Sequence, residues 1–80
     1  MTHVEIHKKL NSVFRDVFDN PALEVSESTT AKDIEGWDSL IHVNLVVAVE
    51  KAFGVRFTTK DIKSLDNVGA WMKLIEKRLG

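Results

Sequence analysis

The sequence predicts an all-α fold: a small four-helix bundle of three longer helices and one short one, with a long loop between helices 1 and 2. Three observations predict it. Apolar residues recur at steps of three and four in three separate stretches, the signature of one-sided helices. Residues that cap helix N-termini stand ahead of these stretches and ahead of a shorter fourth. The one strand-like run, residues 54–57, is too short to pair.

Each element can be justified in order. Thr2 and Glu5 have capping-box spacing, and Ile6, Leu10, Val13, Phe14, Val17 and Phe18 then trace one face of an amphipathic helix. Asn20-Pro21 is expected to end it. Residues 19–38 form a connection rich in Ser, Thr and acids, long enough in so small a chain to suggest a functional loop. Leu23, Val25 and Ile34 are expected to pin that loop over the core, with one short turn at residues 30–33. In the second helix Leu45, Val46, Val49 and Phe53 make a core-facing stripe. Leu40, Val43 and Val47 make another, with Val43 about 160° from Leu45 around the axis. Two accounts fit the second stripe: a central helix buried all round, or an exposed strip that docks a partner or lines a pocket for apolar cargo. Valine is a poor helix former, so Val43, Val46, Val47 and Val49 imply that packing holds this helix more than propensity does. Thr58 and Asp61 form a second capping box before the short helix containing Ile62. Asp66 is the expected N-cap of the last helix, whose Val68, Trp71, Met72, Ile75 and Leu79 again step by three and four.

Composition narrows the function. Eighty residues make one domain near the lower limit for an unstapled core. Cysteine is absent, which rules out disulfides and thiolate metal sites and leaves the redox compartment open. No apolar run approaches the roughly 20 residues of a bilayer span, and the N-terminus has no signal-peptide core. A soluble, cytoplasmic monomer is expected. The net charge of −1 is unevenly spread, at −4 over residues 21–38 and +2 over residues 58–80. Lys73, Lys77 and Arg78 read as a solvated face, and the basic excess is too small and too mixed with carboxylates to track nucleic-acid phosphates.

Chemistry concentrates at Asp38-Ser39-Leu40, which opens the most apolar helix. A helix N-terminus offers unpaired N–H groups and the positive end of the dipole, so a phosphate there is stabilised. Serine is itself a favoured N-cap, but Asp38 can fill that position and leave the Ser39 hydroxyl free to carry a phosphodiester. His42, one turn on, lies within reach of a phosphate. No nucleophile with a paired base is evident beyond this doubtful histidine, so an enzyme is not expected. His3 and His7 have the i, i+4 spacing of a metal pair, but without a nearby third ligand they read as a solvated helix start and no metal is expected. Trp37 reads as an aromatic that packs the loop against the helix, and Trp71 as core.

Gly36-Trp37-Asp38-Ser39-Leu40, followed by an apolar helix ending in Glu50-Lys51-Ala52-Phe53-Gly54-Val55, resembles the acyl carrier protein family. The resemblance continues through Phe57 and Ser64-Leu65-Asp66-Asn67-Val68, and covers residues 3–79. It implies a freestanding acyl carrier domain over residues 1–80. Ser39 would receive 4′-phosphopantetheine from coenzyme A through a separate phosphopantetheinyl transferase, and the pendant thiol would hold an acyl group as a thioester. Asp38 matches the family's acidic position and would assist the transferase's Mg²⁺ and serine recognition. Leu40, Val43 and Val47 match positions that contact acyl-transferring or synthase enzymes of fatty-acid, polyketide or specialised lipid synthesis. Two other readings remain: a peptidyl or aminoacyl carrier, whose serine more often follows small residues, and a cofactor-free helical interaction domain using the Leu40, Val43, Val47 strip.

One departure stands out. Family members commonly line the second helix with carboxylates, whereas here the stretch has Ile41, His42 and Asn44, with Glu50 as its only acid, and residues 39–57 sum to +1. Long-range steering by an acidic surface is therefore expected to be weak. Partners that rely on apolar contact, and a specialised rather than housekeeping pathway, are the expectation.

Overall fold

Three of the four helices begin where their capping residues stand in the sequence. In the computed structural model, which describes residues 1–79, α1 spans His3–Phe18, α2 Ser39–Phe53, α3 Thr59–Lys63 and α4 Val68–Leu79, with a 3₁₀ turn at Ala31–Asp33. Thr2 Oγ1 accepts from the Glu5 N–H at 3.2 Å while Glu5 Oε1 accepts from the Thr2 N–H at 2.9 Å. The same reciprocal box joins Thr58 and Asp61, and a third caps the 3₁₀ turn at Thr30 and Asp33. The last helix differs from expectation. Asn67, not Asp66, caps it, its Oδ1 accepting from the Ala70 N–H at 2.8 Å. The first helix also stops earlier than Asn20-Pro21 demands, because Asp19 adopts left-handed backbone at φ 51°, a region its short polar side chain tolerates.

The capping boxes carry a pH dependence. Hydrogen bonds from the Thr2 N–H and hydroxyl hold the Glu5 carboxyl below its usual range. The Thr58 N–H and then the Arg78 guanidinium, which pairs with Asp61, do the same for Asp61. A carboxyl lowered in the folded state stabilises fully above its unfolded pKa, and that contribution fades as pH falls through the folded value. The unfolding midpoint should therefore drop on acidification from about pH 6 to about pH 3. Glu5→Gln/Asp61→Asn should flatten that drop in a thermal titration; an equally steep drop in the double variant would assign the acid sensitivity elsewhere.

The core is made by α1, α2 and α4. Ile6, Leu10, Phe14, Leu45, Val49, Trp71, Met72 and Ile75 are all buried. Val25 and Ile34 enter the same cluster from the loop, and Leu23 packs half-buried against it, as expected. Val17 and Phe18 are half-buried at the end of the α1 stripe, and Leu79 is exposed.

The loop between α1 and α2 is tied down at both ends. His7 Nε2 donates to the Val25 carbonyl at 2.5 Å and Arg15 Nε to the Leu23 carbonyl at 2.6 Å. Between them Asn11 Oδ1 accepts from the Val25 N–H at 2.7 Å. These three residues step by four and so stand in one row on α1. His7 is thus a loop fastener, not the solvated side chain its sequence position suggested. Farther along, the Thr29 and Glu27 carbonyls accept from the Val68 and Gly69 N–H groups at 2.9 and 2.8 Å, satisfying donors that open α4. A Cβ at Gly69 would stand 3.0 Å from the Glu27 carbonyl oxygen, so the loop crosses there at glycine distance. No helix among the described residues is long and apolar enough to cross a membrane.

Candidate functional site

The loop delivers its last residues to the start of α2. Gly36 turns the chain at φ 88°, a conformation that suits glycine. Asp38 follows in extended backbone as the N-cap: its Oδ1 accepts from the Ile41 N–H and its carbonyl from the His42 N–H, both at 2.9 Å. Ser39 is therefore the first helical residue and is exposed. Among the described residues its Oγ has no hydrogen-bond partner, and neither do the N–H groups of Ser39 and Leu40. With Asp38 as cap, the serine hydroxyl stands free at the electropositive end of a 15-residue helix.

Trp37 fixes the approach to this end. Its ring is half-buried and meets Phe14 edge-on at 5.5 Å and Phe18 at 5.9 Å, which welds the loop to α1. Its Nε1–H donates to His42 Nδ1 at 3.1 Å. That bond requires an unprotonated Nδ1, so a neutral His42 carries its proton on Nε2. Trp37 was expected to pack, and it does; its hold on the His42 tautomer has no sequence signal beyond their spacing of five.

A groove of about 560 Å³ opens beside Ser39. Trp37, Asp38, His42 and Val43 line it from one side, and Ile62, Lys63 and Leu65 from the other. Sequence reasoning located α3 by its capping box, but which of its residues wall the groove needed the fold, because a local cap says nothing of which helix end lies opposite.

The two stripes of α2 divide as their spacing foretold. Leu45, Val46, Val49 and Phe53 are buried. Leu40, Val43 and Val47 are 71%, 58% and 44% exposed, so the account in which α2 is buried all round falls. The strip runs from Ser39 along the outer face of the helix. Glu50, the one acid of α2, is used internally: its Oε2 accepts from the Phe57 N–H at 2.8 Å.

The remaining candidates are not brought to this site. His3 lies near Glu27 at 3.3 Å and Glu76 at 3.8 Å, apart from His7, which is occupied by Val25. No cluster among the described residues could hold a metal ion. Arg78 is paired with Asp61, leaving Lys73 and Lys77 exposed.

What the arrangement can do is hold an anionic ester. A phosphodiester on Ser39 Oγ would meet the two unpaired N–H groups and the helix dipole, and the hydroxyl is open to an incoming enzyme. No base is hydrogen-bonded to Oγ among the described residues, and His42 Nδ1 is committed to Trp37.

Comparisons with known proteins match nearly the whole chain. The family model described as the phosphopantetheine attachment site matches residues 8–75. An acyl carrier protein of Thermotoga maritima is 34% identical over 76 residues, covering 95% of this chain and 94% of that one. One from Prochlorococcus marinus is 30% identical over the whole of both chains. The solution NMR structure of a holo acyl carrier protein from Geobacter metallireducens superimposes with a TM-score of 0.85 at 38% identity, over 90% of this chain and 83% of that one.

Proposed function

Because the chain belongs to the acyl carrier protein family, we propose that residues 1–80 act as one carrier domain with 4′-phosphopantetheine joined by a phosphodiester to Ser39 Oγ. The observation that carries this reading is the exposed, unengaged hydroxyl at the first position of α2. The attached arm supplies a thiol that holds an acyl group as a thioester. The chain's own residues bind and present. Asp38 caps α2 and so keeps Ser39 outside the cap, where a phosphopantetheinyl transferase and its Mg²⁺ can approach. The N–H groups of Ser39 and Leu40 meet the phosphate oxygens, and His42, lining the same groove, offers a neutral Nε2–H donor. Leu40, Val43 and Val47 form the apolar face offered to acyl-transferring and synthase enzymes. The protein is a carrier and not a catalyst: the reacting groups come from the arm and from the partners.

The near-absence of free acids on α2 supports a specialised pathway, in lipid tailoring or polyketide assembly, over housekeeping fatty-acid synthesis. Trp37-Asp38 before the serine favours acyl over peptidyl cargo.

Incubation with coenzyme A and a broad-specificity transferase tests the reading. The protein should gain the mass of one phosphopantetheine, located by trypsin to residues 33–51, where Ser39 is the sole hydroxyl. An unmodified protein, or modification on another peptide, would overturn it and favour a cofactor-free docking domain.

A further inference from the structure

The exposed face of α2 is bordered by cations that no ion pair among the described residues engages. Lys51 continues the Val43, Val47 row by a step of four, placing it on the same side of the helix. Lys51 and Arg56 share with Val47 and Glu50 a surface groove of about 400 Å³ at the end of α2. Lys63 lines the other groove from the side facing Asp38, Ser39 and Val43. All three cations are exposed, and no ion pair among the described residues includes them. Of the acids in these two grooves, Glu50 is turned onto the Phe57 N–H and Asp38 onto the Ile41 N–H, and Asp61 of α3 pairs with Arg78, so three cations face two carboxylates engaged by backbone. The face is thus an apolar strip with cations along its flank and at its far end. Lys51 lies about 18 Å along the axis from Ser39, given the helical rise per residue.

We infer that this face docks a protein partner whose surface presents an apolar patch flanked by carboxylates, placed opposite Lys51, Arg56 and Lys63. The inference deepens the carrier reading by naming the charge of the enzyme surface that receives the arm. Charge complementarity selects the sign, and the three apolar side chains supply the contact. A membrane surface is disfavoured because a 15-residue helix showing only Leu40, Val43 and Val47 offers little apolar area for insertion, and Asp38 stands at its end.

The test uses the full ¹⁵N-labelled chain and two helical peptides of about 18 residues. Both carry one leucine stripe, flanked by glutamates in the first and by lysines in the second. The glutamate peptide should shift the amides of Val43, Val47, Lys51, Arg56 and Lys63. It should bind about tenfold tighter than the lysine peptide at low salt, as expected for a few exposed charge pairs. That preference should collapse at high salt and reverse in Lys51→Glu/Arg56→Glu/Lys63→Glu, with the dispersed spectrum reporting that the variant is folded. Equal binding of both peptides, or preference for the lysine peptide, overturns the inference. So do tighter binding to phosphatidylglycerol vesicles through the same residues, or concentration-dependent shifts there without peptide, which would indicate self-association. Mass analysis of the same sample after transferase treatment reads the carrier function separately, so the failure of either stands apart from the other.

Discussion

Ser39→Ala should take up no phosphopantetheine from coenzyme A while unfolding at the same temperature as the parent. The two halves of that result come from one geometric fact, that the cap and the proposed attachment point are different residues. Asp38, not Ser39, accepts from the Ile41 N–H, so removing the Ser39 hydroxyl breaks no hydrogen bond among the described residues. An exposed serine to alanine change at the first helical position stays within about 0.5 kcal/mol. The chemical effect is total, since no other hydroxyl lies on the first turn of α2. Asp38→Ala should give the complementary pattern: a loss of about 1 kcal/mol from the missing cap, with slowed but finite loading. Intact-mass spectrometry and thermal melts of the two variants read both quantities. Loading of Ser39→Ala, or its unfolding at the temperature of Asp38→Ala, would remove Ser39 from the role assigned to it.

Much of this was legible in the sequence because it is local. Capping boxes act over three residues, so Thr2 and Thr58 mark helix starts without reference to the rest of the chain. The two stripes of α2 follow from helical periodicity alone, and burial divides them residue for residue. Deciding between an exposed and a covered outer stripe needed the fold, because periodicity describes a face and not what lies against it. The misreadings share that cause. Asn67 displaces Asp66 as cap because the loop, bridged to Asn67 at Thr30, fixes where α4 can begin. His7 is half-buried because the same loop, 18 residues on, lays the Val25 carbonyl against it. The groove wall contributed by Ile62 and Lys63 is likewise a long-range pairing of α3 with the start of α2.

Trp71→Ala should be the most destabilising single change in the core, and Trp71→Phe should cost far less than its lost volume suggests. Trp71 is fully buried and is the meeting point of three elements: its ring lies 6.2 Å from Phe14 on α1, 5.6 Å from His42 on α2 and 6.3 Å from Phe57 after α2. Truncation to alanine removes those contacts and leaves a cavity, at a cost of about 3–5 kcal/mol. The whole stability of a domain this size is about 4–12 kcal/mol, so the change removes from about a quarter to all of it. Phenylalanine keeps an aromatic ring in the cluster and removes the indole N–H. That N–H is buried with no hydrogen-bond partner among the described residues, a state that carries a desolvation penalty of about 1–3 kcal/mol. Relief of the penalty offsets part of the smaller ring's packing loss. Because the Trp71 ring supports His42, which lines the groove at Ser39, partial loosening should reach that groove before the domain unfolds. Urea denaturation of both variants checks the ranking, and a Trp71→Phe protein as unstable as Trp71→Ala would show that the indole N–H carries no such penalty.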